Sequence, residues 1–587
     1  MAFFARVPRN AAGNNAVPQR DSTGTAVLDS AHVGDIVGAL GTIRVDDTAT
    51  GRSWLQRLKM LLVVMGPGLI VMVGDNDAGG VATYAQAGQN YGMALLWTLA
   101  LLIPVLYVNQ EMVVRLGAVA GVGHARLIFA RFGKFWGAFS VGDLFVVNAL
   151  TIVTEFIGVS LALNYFGLPK SISVPLAAVL LFAVVAGGSF RRWERFIFAL
   201  IAVNIVMFPL AFIVHPSAAE TVKGLIPTFP GGLNSTLLLL IVAVVGTTVA
   251  PWQLFFQQSN IVDKRLTPKW IRYERVDLWI GIVVVMVGAV AVMAAAAFGL
   301  AGTDVVGNFT DAGDVAKQLG DHVSHTAGAL FAILLLDASL IGANAVGLAT
   351  TYALGDTLGK RHSLHWKVTE APAFYLGYAA LLVVAGAVSF SPDHVLGLLT
   401  QGVQALAGVL LPSATVFLVL LCNDKAVLGP WVNTMRQNIV AGAIVWSLVL
   451  LSLALTAATF FPNLTAGQLE LGFGVGVAVG LLGGVAVALA VRRSGREDRE
   501  QAAVEVAVQL GGLDPDQVAD LDEQPHDRTV RKALLEQERE TFRTPALETL
   551  ERPVFSPLRM AGMVALRGYL LIAVALVGVK IAEAIVS

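Results

Sequence analysis

Two aspartates separated by one residue, Asp75 and Asp77, interrupt the apolar stretch GPGLIVMVGDNDAGGVATYAQAG that runs from Gly66 to Gly88. A helix inside a bilayer must satisfy its own backbone, so acid and a Gly79-Gly80 pair at its centre mark irregular chain lining a polar cavity. The chemistry available there is cation binding by carboxylate, by the amide of Asn76 and by main-chain carbonyls. A second apolar stretch, TLLLLIVAVVGTTVAPWQLFFQQS at 236–259, is broken in the same way by Gly246, Thr247 and Thr248, then Ala250-Pro251, then Gln253, Gln257 and Gln258. Two readings compete at the first break. Asp75 and Asp77 bind a cation, or they cap the helix that restarts after the break. Gly79 and Gly80 likewise provide a carbonyl ligand or room for water, or simply close helix packing.

These residues need elements that hold them at mid-membrane, and the composition supplies them. Of 587 residues, 56% are hydrophobic and 14% charged, and the mean hydropathy is +0.71, as in polytopic membrane proteins. A net charge of -1 gives no basis for nucleic-acid binding, and the single Cys422 rules out an internal disulfide and a cysteine-cluster metal site. The nine histidines are scattered, nearly all in expected loops, and do not form a zinc pattern. Apolar runs of spanning length recur near 61–89, 92–117, 136–165, 172–190, 195–214, 234–259, 276–300, 326–355, 371–390, 393–421, 438–461 and 470–491.

Lys and Arg concentrate on alternate loops, as the positive-inside rule requires. Arg52, Arg57 and Lys59 precede the first run, and Arg191, Arg192 and Arg195 follow the fourth. Lys264, Arg265 and Lys269 follow the sixth, while loops 215–233 and 301–325 hold one lysine each. This predicts a plasma (inner) membrane protein with a cytoplasmic N-terminus. The chain then divides into a disordered tail over 1–52, a ten-span core over 53–421 with repeats at about 61–214 and 234–421, and further transmembrane helices over 438–491. A charged cytoplasmic segment follows over 492–560, and the apolar run 561–587 is a final span or a surface-lying helix.

The breaks fall in the first and sixth runs, five positions apart, which is the sequence mark of an inverted-repeat carrier with its site near the midplane. At these residues the chain resembles the NRAMP family of divalent metal transporters. Gly66-Pro67-Gly68 is followed at the family's spacing by Asp77-Ala78-Gly79-Gly80, where most members read Asp-Pro-Gly-Asn. Thr154-Glu155-Phe156-Ile157-Gly158 is similar to the family's Ala-Glu-Val-Ile-Gly, and Ala250-Pro251-Trp252-Gln253 stands where members carry Met-Pro-His-Asn. The resemblance covers roughly 60–460. It implies an all-α, LeuT-like (APC superfamily) inverted 5+5 repeat with broken spans one and six, extended by extra C-terminal helices. It also implies no enzyme activity and no cofactor, the divalent cation being cargo carried through a lipid bilayer. The oligomeric state is left open, a monomer being compatible with this plan.

The departures from the family are as informative as the matches. Members bind manganese and ferrous iron through an aspartate and an asparagine of span one and a methionine of span six. Here Asp77 matches the aspartate, but the asparagine is Gly80 and the methionine is Ala250. The soft ligand that favours transition metals is gone. Asp75, Asn76, Asp77, Gln253 and Thr247 leave oxygen near a site expected to be wider; Gln404, with Gln401 one turn away as the alternative, sits where the family places a glutamine near the metal, and Glu155 is expected to contact the ion or its water shell. Magnesium prefers six oxygens at roughly 2 Å and keeps part of its water shell. The pattern is similar to that of the NRAMP-related magnesium transporters. Ile152, Trp252 and Gln257 replace the family's titratable groups, which predicts movement uncoupled from protons.

Other roles stay open for several residues: Glu155 pairs with Arg115 in an alternative reading, and Asp143, Asn148, Asp337 and Asn344 are expected in interhelical hydrogen bonds. Rival functions are a proton-coupled manganese/iron symporter, an amino-acid permease of the same plan, and a cation sensor working through 492–560.

Overall fold

The computed structural model describes residues 24–47, 53–461, 465, 467–485, 536–551, 553 and a few positions between 563 and 571. After a short hairpin, β1 (Ile36–Gly38) and β2 (Gly41–Ile43), the chain is helical: α1 Trp54–Val64, α2 Pro67–Gly74, α3 Ala78–Tyr91, α4 Leu96–Ala120, α5 His124–Tyr165, α6 Lys170–Val185, α7 Phe190–Val203, α8 Met207–Val214 and α9 Ala218–Lys223. The second half supplies α10 Ser235–Thr248, α11 Pro251–Asp263, α12 Ile271–Gly299, α13 Ala312–His322, α14 His325–Leu358, α15 Pro372–Val388, α16 Asp393–Cys422, α17 Lys425–Leu428 and α18 Met435–Phe460, with α19 at Gly467–Val485.

As far as they are described, the twelve expected runs coincide with helix, the last of them up to Val485. Among the described residues nine helices are long and apolar enough to cross a membrane; α2 and α3 share the divided first span, while α6 and α15, at 16 and 17 residues, are shorter. The first span begins later than expected. Residues 54–64 form a separate helix, bent 54° from α2, because Gly66 adopts φ 152° and Pro67 starts a new helix at its first position. The third span starts close to where it is expected: Gly133, at φ 88° and ψ 174°, breaks α5 into a short helix over 124–132 and the spanning helix that follows to Tyr165.

Paired helices from the two halves form the scaffold. Asn148 Nδ2 on α5 donates to Thr350 Oγ1 on α14 at 2.8 Å. Asn204 Nδ2 donates to Asp337 Oδ2 at 2.7 Å, and Trp193 Nε1 to Asn344 Oδ1 at 2.6 Å. Three of the four polar residues expected to bridge helices therefore do so. Asp143 differs: its Oδ2 has no protein partner, and it lines a small cavity with Ser140, Pro251 and Ser413.

The expected mobile tail also differs over 24–47. Ile36, Ala39 and Ile43 are buried, and the hairpin pairs Ile36 with Ile43 and Gly38 with Gly41. The reason lies in long-range partners that composition does not report, chiefly arginines of α7 that take the hairpin's carbonyls. Most of the expected 492–560 and 561–587 segments lie outside the described residues; of the charged stretch, 536–541 is helical and Thr544 is buried.

Close packing of α10 on α16 sets the height of Gln404 at the site. A Cβ at Gly246 would lie against the Gln404 carbonyl and 2.8 Å from the Gly408 Cα. Gly246→Ala is therefore expected to force the two backbones apart at a cost of roughly 1–3 kcal/mol, seen as a lower melting temperature of the purified protein; an unchanged melting curve would refute this close contact.

Candidate cation site

The first break is built by capping. Asp277 on α12 opens α2, its Oδ2 accepting from Gly66 N at 3.1 Å, Gly68 N at 2.7 Å and Leu69 N at 3.3 Å. At the other end α2 stops at Gly74. Asp77 is extended (φ -68°, ψ -180°), and α3 restarts at Ala78 with the Asp77 Oδ1 accepting from Gly80 N at 2.7 Å. The capping reading thus holds for Asp77. Capping by one oxygen does not prevent the carboxylate from ligating, and the amino end of α3 gathers a second carboxylate: Glu155 on α5 accepts from Ala78 N at 3.1 Å through Oε2. Gly342 on α14 makes room for both, since a Cβ there would meet Glu155 Oε2 at 2.6 Å and Asp77 Cβ at 2.8 Å.

The second break lies directly opposite. Val249 and Ala250 leave the helical path, and Pro251 starts α11. The two breaks are bonded to one another. Tyr84 OH and Thr248 Oγ1 are 2.8 Å apart, Thr247 Oγ1 donates to Asp77 Oδ1 at 3.5 Å, and Gln253 Nε2 donates to Asp75 Oδ1. Gln253 Oε1 in turn accepts from Gln110 Nε2 at 3.0 Å. Gln404 packs over Gly79, where a Cβ would overlap its amide.

The structure thus brings together Asp75, Asp77, Gly80, Glu155, Thr247, Ala250, Gln253 and Gln404. It does not bring Asn76 with them: the Asn76 Nδ2 donates to Val285 O on α12 at 3.1 Å. Two other expectations also change. Arg115 does not pair with Glu155, because it is held by Glu111 at 2.9 Å, the Trp431 carbonyl and Asn433. Nor is there space over Gly80: a Cβ would meet the Asp75 carbonyl at 2.7 Å and Thr247 Oγ1 at 3.1 Å. The backbone of the break has closed into the volume that a larger side chain would fill. Trp252 is buried and packs edge-on against Phe256, with ring centroids 6.1 Å apart.

Sequence reasoning missed the two supports of this arrangement. Gln110, between Asn109 and Glu111 in the second span, orients Gln253, and Asp277 anchors α2 from a distance of some 200 positions in the chain. An unexplained carboxylate in an expected span was the available signal for Asp277.

As donors, the residues suit a hard cation. The buried oxygens Asp75 Oδ2 and Glu155 Oε1 have no protein partner, and carboxylate, amide, hydroxyl and carbonyl oxygens make up the rest of the surroundings. Among the described residues no three His, Cys, Asp or Glu side chains converge as a metal cluster, so water and main chain would complete any coordination sphere. Asp75 is 0% and Asp77 2% exposed. Beyond Ala78 and Gly158 a cavity of about 220 Å³ extends toward Asn164, Lys170 and Asp311, lined by Thr83, Thr154 and Thr400. It ends one residue short of the acidic pair, so the site is occluded.

Residues 68–458 match the natural resistance-associated macrophage protein-like (Nramp) family. The divalent metal cation transporter MntH of Ralstonia nicotianae is 28% identical over 402 residues, covering 65% of this chain and 88% of the relative. That of Bacillus subtilis is 26% identical, covering 71% and 96%. A crystal structure of a manganese transporter variant from Eremococcus coleocola superposes with a TM-score of 0.57 at 21% identity, covering 76% of this chain and 99% of that one. The fold is the LeuT-like arrangement of two five-span repeats with broken spans one and six, and the chain belongs to the Nramp family.

Proposed function

We propose that this protein carries magnesium across the plasma membrane by alternating access, binding a partly hydrated ion without proton coupling, as in the NRAMP-related magnesium transporters. Family membership makes it a metal transporter and not an enzyme, with the metal as cargo. The names of its relatives support a divalent cation. The observation that carries the finer reading is the all-oxygen surroundings: Asp77 and Glu155 meet at the amino end of α3, Asp75 is bonded to Gln253 across the breaks, and Ala250 stands where the thioether of the family would be.

Magnesium is hard and strongly hydrated, so oxygen donors suit it and a sulfur donor would add selectivity for softer ions instead. The vestibule of hydroxyl groups beside the site offers hydrogen-bond partners for the ion's water during entry. In the cycle, spans one and six (α2–α3 and α10–α11) rock about their breaks against the scaffold of α5, α6, α14 and α15. The N-terminus and the 492–560 segment face the cytoplasm in this reading, on the side where Arg191, Arg195, Lys264 and Arg265 gather. Ile152, Trp252 and Gln257 leave the third and sixth spans without a histidine relay, and the membrane potential supplies the driving force.

Purified protein in liposomes is expected to take up magnesium without acidifying the lumen, and Asp77→Ala is expected to reduce uptake to background. Manganese uptake accompanied by acidification, with no magnesium flux, would instead establish a proton-coupled manganese carrier. Magnesium binding without flux would establish a sensor. Ala250→Met restores a soft donor at the second break. Manganese is then expected to compete against magnesium about tenfold better, roughly 1.4 kcal/mol; an unchanged competition curve would remove Ala250 from the site.

A further inference from the structure

Across the end of the bundle where the basic residues gather lies the β1–β2 hairpin, which the transport cycle as described does not use. Its tip sits on a seam. On one side is the chain leading into the first span: a Cβ at Gly38 would overlap the Val63 carbonyl, and Met65 O accepts from Lys264 Nζ at 2.6 Å. On the other side is α7. Arg191 Nε donates to Gly38 O at 3.2 Å, Arg195 Nε donates to Ala39 O at 2.9 Å, and Ala39 N donates to Glu194 Oε2. The second Glu194 oxygen accepts from Lys264 Nζ at 2.6 Å, and both side chains of that pair are 0% exposed.

One buried bridge therefore runs from the hairpin through Glu194 and Lys264 to the carbonyl just before α2. Arg265, held at φ 65°, adds bonds to Ala31 O at 2.8 Å and Asp35 O at 3.2 Å. Upstream, Ala26 N donates to Thr544 O at 3.0 Å, and Thr544 N donates to Val119 O at the end of α4 at 3.2 Å. The N-terminal strap is thus tied to the C-terminal segment and the bundle together.

We propose that residues 24–47 are a latch on the inner gate, holding the start of α2 against α7 and the end of α11, and that the latch must release before the site opens to that side. This rests on the alternating-access reading above. Leu69 and Val73 of α2 pack with Ile341 of α14 below the break. Opening that side parts this contact, and the first span cannot move from α7 while the hairpin and the Glu194–Lys264 bridge join them. Two strands of three residues are too short to be stable alone. Their docking is therefore a local equilibrium that can open without unfolding the bundle.

The test uses Val73→Cys, whose side chain becomes accessible only when α2 leaves α14; the native Cys422 is buried and gives little background. Maleimide labelling in nanodiscs would be compared in the full chain, in a chain lacking residues 1–47, and in a full chain carrying Arg191→Ala and Arg195→Ala. Labelling is expected to be at least about fivefold faster in both altered proteins, as a population shift toward the open gate. The double substitution keeps the test valid if the truncated chain does not fold. Equal labelling rates in all folded forms, with magnesium uptake intact, would overturn the latch and leave the transport reading standing. Faster labelling with no uptake in any form would support the latch and overturn the magnesium reading.

Discussion

Two carboxyl groups at the amino end of α3 are the constraint around which the rest is arranged. A charge at mid-membrane is tolerated only where something nearby offsets it. Here the first turn of a half-helix does so: Gly80 N donates to Asp77 and Ala78 N to Glu155, with the positive end of the α3 dipole behind them. A continuous first span would have no such free amides. The break is therefore the electrostatic precondition for holding the acids, and Gly66, Pro67 and Asp277 serve it by fixing the other half-helix in place.

The second constraint is that the breaks act as a unit. Tyr84 with Thr248, Asp77 with Thr247 and Asp75 with Gln253 all join span one to span six. Glu155 comes from α5, which is tied to α14 by Asn148 and Thr350. The site is thus shared between a jointed pair and a stiff scaffold, and any relative motion changes the distance from Glu155 to the other donors. In the proposed cycle, binding and movement are coupled through the same few bonds, because a cation held by both Asp77 and Glu155 would also fix the position of α3 against α5.

Much of this was legible in the chain. Spanning helices reveal themselves by length and apolarity, and both breaks by Gly, Pro and acid inside apolar runs, so the twelve runs and the two interruptions fell in the right places. The contacts that orient side chains were not legible. Asn76 and Asp77 are adjacent, yet one turns to Val285 and the other to Gly80; only the backbone angles at the break decide this. Gly80 was read as a carbonyl ligand, as room for water or as a close-packing residue, and the Asp75 carbonyl and Thr247 close on it. Arg115 was a candidate partner for Glu155, but Glu111 one turn earlier on its own helix reaches it first. The 24–47 segment looked featureless because its order comes from arginines more than 140 positions away.

In the proposed cycle, driving force and control would act at the two ends of the same span. A doubly charged ion crossing a potential of about 100 mV, negative inside, gains about 4.6 kcal/mol, enough for a gradient of roughly three orders of magnitude. A carrier reading only that potential has no need of a proton, but it also has no thermodynamic brake until the gradient is full. A proton-coupled carrier slows when its co-substrate runs short, whereas an uncoupled one can be restrained only by how often its inner gate opens. The hairpin bridge from Ala39 through Glu194 and Lys264 to Met65 stands where such restraint would act.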